Sequence, residues 1–302
     1  KRLCLGPEVM QEANPRLIYA SGSGFGSSGP YADKIALDLT IQAMSGVMSA
    51  TGEKGGRPLK AGVPVADFMS GTHLYGAIVT ALFERERTGL GRVVEVSMFE
   101  SMFPTLLPAA GHAYVSKTPP KRTGNRHVAD SYVPFDTFET SDGWVAIACA
   151  TNEHWTNLAK AMNRQDMLAD ESLQGLNGRI ERIDEVTEAV AQWTGARTRE
   201  QVNALCQEYH VPAAPLLDAV EILNDPHLHS RTFLTNQTGP NGTVALPNSP
   251  IRYEGSALLP LKAPPDYDEP VVWAYAVGML IEKLSNCFKD KKIVAHFHEW
   301  LS

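Results

Sequence analysis

Cysteine is scarce: four occur in 302 residues, and none lies in a C-x-x-C pair or at any other paired spacing. Cys4, Cys149, Cys206 and Cys287 therefore read as free thiols of a reducing compartment, not as a disulfide framework or a zinc site. A basic surplus is lacking as well. The 27 Lys and Arg face 34 Asp and Glu, a formal net charge of −7. That balance excludes a dedicated nucleic-acid binder, which must neutralise many phosphates, but it leaves room for a local basic groove. No stretch reaches the roughly 18 uninterrupted apolar residues that a membrane span needs. The opening KRLCLGPEVM has no charged leader followed by an apolar core, so no secretory signal is read there. It also lacks an initial Met, the mark expected of a processed or truncated product. The expected location is the cytoplasm, or the mitochondrial matrix in a eukaryote.

What is present is ordinary. A hydrophobic fraction of 43% and a charged fraction of 20% suit a globular protein, and the length suits one large or two ordinary domains. RLIYAS at 16–21 reads as a buried strand running into a glycine loop at 22–29. Residues 33–51 place Ile35, Leu39, Ala43 and Val47 at near-helical spacing before Gly52. Residues 70–87 read as a second helix, apolar at Leu74, Ala77, Ile78, Ala81 and Leu82, with basic residues and a glycine stop at its end. RVVEVSM at 92–98 reads as a strand. This order predicts an α/β layer architecture. KTPPKRTGNR at 117–126 reads as a linker. A second α/β unit follows: a hairpin at 132–140 and 143–150, helices near 153–162, 181–193 and 199–209, a short strand at 211–216 and a short helix at 217–223. Residues 236–247 read as loop-rich, and no internal repeat is found.

Three groups of residues invite chemistry. Gly24, Gly26 and Gly29 match G-x-G-x-x-G after a strand, but Pro30 follows and the helix opens later than the dinucleotide fingerprint requires. A loop whose glycines admit another ligand close to the backbone is the competing reading. Asp67, in AGVPVADFMSGTH, lies just ahead of the helix expected near Ser70. It is either a helix-capping carboxylate or a reactive one among small neighbours (Ala61, Gly62, Ala66, Ser70, Gly71), with room for a bulky thioester and positive helix-end charge nearby. His73 reads as packing or capping. His227 and His229 lack an obvious third ligand, so no metal site is assigned. No G-x-S-x-G surrounds Ser21, Ser23 or Ser45, which leaves a hydrolase triad unsupported.

Taken together, these motifs resemble a known family. N-P-R-L-I-Y-A-S-x-x-G-F-G-x-x-G-P from Asn14 resembles the strand and glycine loop of family III CoA-transferases, the family of formyl-CoA and carnitine CoA-transferases. Asp38, the stretch from Gln42 to Gly46, and Thr51-Gly52 continue the pattern. So do A-L-F-E-R-x-R-T-G-x-G-R at 81–92 and V-E-V-S-M-F-E-S at 94–101. R-T-G-N at 122–125, S-D-G-W-V-A-I-A at 141–148, V-P-A-A-P at 211–215, D-P-H at 225–227 and Arg231 complete it. The likeness runs in one register over about residues 1–260.

The resemblance implies that Asp67 is the family's nucleophile, accepting the acyl group and then CoA through covalent aspartyl intermediates. It also implies a homodimer, with acyl-CoA and a carboxylic acid as substrates and no permanently bound cofactor. Coenzyme A is then a substrate. Ser23, Gly24, Phe25, Gly26 and Gly29 are the expected CoA or acyl contacts, with Arg122 and Arg126 as cations for a carboxylate or phosphate. No G-G-G-G loop of the formyl-CoA transferase kind is present, which argues against oxalate and formate. The fold also hosts 2-methylacyl-CoA racemases, but their histidine would fall at Leu37 and their glutamate at Thr151, so racemisation is disfavoured.

Family members carry a further stretch ahead of Lys1, so the expected fold is an incomplete Rossmann-like large domain at 1–116. A linker at 117–130, a smaller α/β domain at 131–235 and a return segment at 236–265 follow. A helical tail at 266–302 resembles, over 269–300, a segment of animal- and fungal-type glycogen synthases around V-A-H-F-H-E-W, as in a fusion or misjoined gene. A glycosyltransferase would need a nucleotide-sugar domain that is not seen. The competing class is an inactive remnant or fusion product.

Overall fold

A computed structural model describes residues 6–119, 121–239 and 242–252. The chain is mixed α/β and divides into two compact units. One draws on Lys1–Asp33, Ser70–Ser97 and Leu217–Ser302, the other on Lys34–Met69 and Met98–Leu216. The tail expected to resemble glycogen synthase, with Cys287, lies outside the described residues, as does Cys4.

In the first unit, β1 (Tyr19–Ser23) pairs in parallel with β2 (Val93–Ser97), in register from Tyr19 opposite Val93 to Ser23 opposite Ser97. Parallel neighbours need a long crossover, and here it includes the 24-residue helix Val65–Thr88, of which the part from Ser70 on belongs to this unit. Ala81 and Leu82 of that helix are buried with Ile18, and Ile78 and Val94 pack against them. The helix stops as its sequence foretells, with Arg85 and Arg87 in the last turn and Gly89 in the left-handed region at φ +75°. Gly91 then passes so close to the chain before β1 that a Cβ there would lie 1.9 Å from the Leu17 carbonyl oxygen. No other residue fits that approach.

The region at 236–247, read from the sequence as loop, is mostly an antiparallel hairpin of β6 (Leu234–Gly239) and β7 (Gly242–Pro247). Its polar strand residues hide the alternation that would have announced it. Earlier in the unit, Asp225 caps the short helix Pro226–Ser230, its side chain accepting from the Leu228 N–H.

The second unit holds a three-stranded antiparallel sheet in the order β3 (Phe135–Thr140), β4 (Gly143–Ala148), β5 (Ala213–Pro215). The hairpin turns at Gly143, φ +147°, where expected. Phe138, Val145 and Ile147 point into a core completed by Trp155, Leu158, Val186, Val190, Trp193, Val202 and Cys206. Helices Asn152–Ala161, Ile183–Gly195 and Arg199–Glu208 supply that apolar face. Each lies within two residues of its sequence expectation. Three short helices between Gln165 and Glu181 were not expected, being too brief for a periodic pattern.

The single helix expected over 33–51 is two pieces, Asp38–Met44 and Val47–Ala50, separated by Gly46 at φ +87°. Its buried face is also different. Ile35 and Leu39 are exposed, while Ile41 and Gln42 are fully buried.

Arg179, only 1% exposed, ties this unit together without a carboxylate partner. Its guanidinium donates to the carbonyls of Val133 (2.9 Å), Leu173 (2.8 Å) and Gln174 (3.2 Å), and to Asn152 Oδ1 (2.8 Å). It also lies over the Trp155 ring, 5.7 Å from its centre. Replacing it with an apolar chain orphans buried carbonyls, so Arg179→Met should lower unfolding free energy by about 2–4 kcal/mol. Urea unfolding followed by tryptophan fluorescence checks this; an unchanged midpoint would refute it.

Candidate active site

Asp67 lies in the second unit, as the third residue of the helix Val65–Thr88. The sequence had placed it ahead of a helix starting near Ser70. The structure puts it inside the first turn instead, with Pro64 leading in. Among the first N–H groups of that helix, the one on Ala66 donates to Asp38 Oδ1 at 2.8 Å. Asp38 thus supplies an anion at the positive end of the helix from 28 residues upstream. Its other oxygen accepts from Gln42 Nε2 at 2.6 Å, and Gln42 Oε1 accepts from the Ala61 N–H at 2.9 Å.

The Asp67 carboxyl is half-buried and pushed up to about 6, first by burial and then by the negative charge of Asp38. The helix end acts the other way, stabilising the carboxylate, but burial and the like charge prevail. Of the small residues noted in the sequence, Ala66 and Ser70 are buried, and a Cβ on Gly62 would meet no atom within 4 Å. A carboxylate with a raised proton affinity is a better nucleophile once ionised and still ionises near neutral pH.

The glycine loop belongs to the first unit and leaves β1 directly. Ser23 Oγ accepts from the Gly26 N–H at 2.9 Å. The Ser27 N–H and hydroxyl both donate to the carboxylate of Glu95 on β2. Phe25 meets Tyr31 edge to face at 5.6 Å. Gly26 and Gly29 have φ of +90° and +87°, and a Cβ on either would meet nothing closer than 3.9 Å. Backbone conformation, not crowding, therefore calls for glycine at both. Between the glycine loop and Asp38 no helix opens, so the arrangement that delivers a helix N-terminus to a pyrophosphate is not the one found here. Glu95 was not singled out from the sequence; the signal was a charged residue in an otherwise apolar strand.

Arg122 and Arg126 lie in the same unit as Asp67, and both guanidiniums have partners. Arg122 donates to the carbonyls of Gly56 and Ser49, beside a Gly124 N–H to Gly52 carbonyl bond of 3.1 Å. Arg126 faces Asp136 and Asp184, each at 3.4 Å. Leu37, where the racemase histidine would fall, is exposed. Thr151, at the racemase glutamate position, is a helix cap accepting from the His154 N–H at 3.1 Å. Burial pushes the thiols of Cys149 and Cys206 up to about 12, which keeps them protonated. His229 Nε2 lies 2.9 Å from the Leu223 carbonyl oxygen, and no group of three or more metal-binding side chains occurs among the described residues. None of the described helices is long and apolar enough to cross a membrane.

The glycine loop follows the parallel strand β1, and Asp67 lies in the first turn of the helix Val65–Thr88. The profile of CoA-transferase family III matches residues 1–270. The chain belongs to CoA-transferase family III, and its class is that of CoA-transferase enzymes.

Among its relatives, the succinyl-CoA:mesaconate CoA-transferase of Haloarcula hispanica is 34% identical over 270 residues, covering 87% of this chain and 67% of the relative. The succinate–glutarate CoA-transferase of Agrobacterium fabrum is 31% identical over 255 residues, covering 82% and 63%. The chain thus spans about two-thirds of the length of these relatives. A solved CAIB/BAIF family protein from Brucella suis superposes with a TM-score of 0.73 at 31% identity, over 90% of this chain and 71% of that one.

Gly26→Val forces a β-branched residue into the left-handed region and should loosen the Ser23 and Ser27 contacts. The expected result is an increase in KM for acyl-CoA of about tenfold or more. Steady-state kinetics over an acyl-CoA series checks this; a parental KM would remove the loop from the site.

Proposed function

We propose that this chain transfers CoA from an acyl-CoA to a carboxylic acid, with Asp67 as the nucleophile and coenzyme A as substrate. The observation that carries the reading is the half-buried Asp67 carboxyl, raised to about 6 in the first turn of a helix. The relatives named for succinyl-CoA, mesaconate and glutarate favour a dicarboxyl acyl-CoA as donor and a small dicarboxylic acid as acceptor. The enzyme is proposed to act as a homodimer in the cytoplasm or mitochondrial matrix. A Rossmann-like large domain at 1–116 is proposed to bind CoA, with 131–235 as a smaller domain.

The ionised Asp67 attacks the thioester carbonyl, forming a mixed anhydride and expelling CoA thiolate. The thiolate attacks the aspartyl carbonyl, releasing the donor acid as a carboxylate and leaving an Asp67–CoA thioester. The acceptor carboxylate attacks that thioester, expelling the thiolate and forming a second anhydride. The thiolate then takes the acceptor's acyl group and regenerates the Asp67 carboxylate. Charge and protons balance without a general acid, which suits a site built around one carboxylate. The Ser23, Gly24, Phe25, Gly26 and Gly29 loop is proposed to contact CoA or the acyl group, with backbone N–H groups other than that of Gly26, which is bound to Ser23 Oγ, facing the tetrahedral oxyanions. Arg122 and Arg126 are proposed to bring positive charge near the bound acid, each while keeping its protein partners.

Incubating the chain with succinyl-CoA and trapping with hydroxylamine should give a hydroxamate on the Asp67 peptide, read by mass spectrometry. Asp67→Asn and Asp67→Ala should lose at least about 10³-fold in exchange rate. Turnover retained in either variant would remove the central claim.

Because Asp67 must be ionised to attack, kcat/KM should rise with pH through about 6 and level off above it. Rates measured from pH 5 to 8 check this, and a flat profile would contradict it. The same raised carboxyl means that the ionised form opposes folding above pH 6. Asp67→Asn should therefore melt no lower than the parent at pH 8, and a markedly lower melting temperature would contradict that sign.

A further inference from the structure

The hydrogen bonds at the start of the helix Val65–Thr88 converge on Asp38. One of its oxygens accepts from the Ala66 N–H and the other from Gln42 Nε2, and Gln42 Oε1 accepts from the Ala61 N–H. Gln42 is fully buried, and only one orientation of its amide serves both neighbours. Turned over, it would set oxygen against carboxylate and N–H against N–H. Three segments are therefore held by one relay: the helix Asp38–Met44, the loop at Ala61, and the turn that carries Asp67.

Asp38 is also the charge that acts on Asp67. Lys60, in the loop, binds the Ala61 carbonyl at 2.8 Å and the Gly62 carbonyl at 3.4 Å, and His73 is exposed six residues further along the helix.

We propose that Asp38 is the positioning residue for Asp67, its two oxygens fixing the first helical turn and, through Gln42, the incoming loop, so that the Asp67 carboxylate meets the thioester in one orientation. The proposal rests on Asp67 being the nucleophile. Asp38 touches no reacting atom; it acts by placing Asp67 and by setting the field around it. Misplacement of about 1 Å is enough to slow such a reaction by up to a hundredfold.

Two variants separate placement from field. Asp38→Asn removes the charge and keeps an oxygen for the Ala66 N–H, but turns an amide N–H toward Gln42 Nε2, whereas Asp38→Ala removes the charge and both acceptors. Carboxyl carbon NMR of the full chain, assigned by difference from Asp67→Asn, follows Asp67 directly, and kcat, KM and adduct yield are measured alongside. In Asp38→Asn the Asp67 midpoint should move down from about 6, with burial still holding it above the ordinary carboxylate range, and the acid limb of kcat/KM should move with it. In Asp38→Ala, kcat should fall between about tenfold and a hundredfold with KM for acyl-CoA near the parent's, and the Asp67 adduct should fall in step.

An unmoved Asp67 midpoint in Asp38→Asn, or a parental kcat in Asp38→Ala, overturns the proposal. The titration needs no turnover, so it also distinguishes the two failures. A parent chain whose Asp67 titrates near 6 yet yields no adduct defeats the nucleophile reading, whatever Asp38 does to the midpoint.

Discussion

A half-buried carboxylate beside a second carboxylate is the constraint around which the start of the long helix is arranged. Two like charges near a partly desolvated site repel, and one of them must hold its proton to a higher pH. The chain meets this by giving the two acids different work. Asp38 spends both oxygens on hydrogen bonds, to the Ala66 N–H and to buried Gln42. Asp67 takes the displacement, its carboxyl raised to about 6. The division follows from position: Asp38 lies at the start of one helix facing the start of another, whereas Asp67 rides within the second.

The second unit shows how a buried charge is kept quiet when no chemistry is wanted. Arg179 is wrapped by neutral oxygens of Val133, Leu173, Gln174 and Asn152, so its donors are met without a carboxylate. Such a cluster is demanding to satisfy and joins segments from Val133 to Gln174 in one arrangement. Cys149 and Cys206, nucleophiles in other settings, are silenced by the same core. The contrast with Asp67 is one of solvent. Asp67 is half-buried, while Arg179, against the Trp155 ring, and the two thiols, in the cluster with Trp155, Leu158 and Val202, are fully closed in.

Elements with long apolar periodicity were legible in the sequence. The helices Asn152–Ala161, Ile183–Gly195 and Arg199–Glu208 and the hairpin turning at Gly143 fell close to expectation, because each buries one regular face. Where side-chain pattern was thin, the reading failed. The β6–β7 hairpin is polar, the helices between Gln165 and Glu181 are short, and the break at Gly46 is a matter of one backbone angle.

The order of residues by itself determined the family, through motifs collinear from Asn14 to Arg231, and singled out Asp67 among 34 acids. The residues around Asp67 could not choose between a cap and a nucleophile, because both want a carboxylate near a helix start; only the family likeness favoured the nucleophile. Tertiary structure decided where that helix begins, at Val65, and placed Asp38 on its Ala66 N–H. It also assigned Arg122 and Arg126 their protein partners, and set Glu95 beneath the glycine loop. The physical reason is common to all of these. Hydrogen-bond partnership and desolvation depend on which groups meet across 28 or 68 residues of chain, and local pattern carries no record of that meeting.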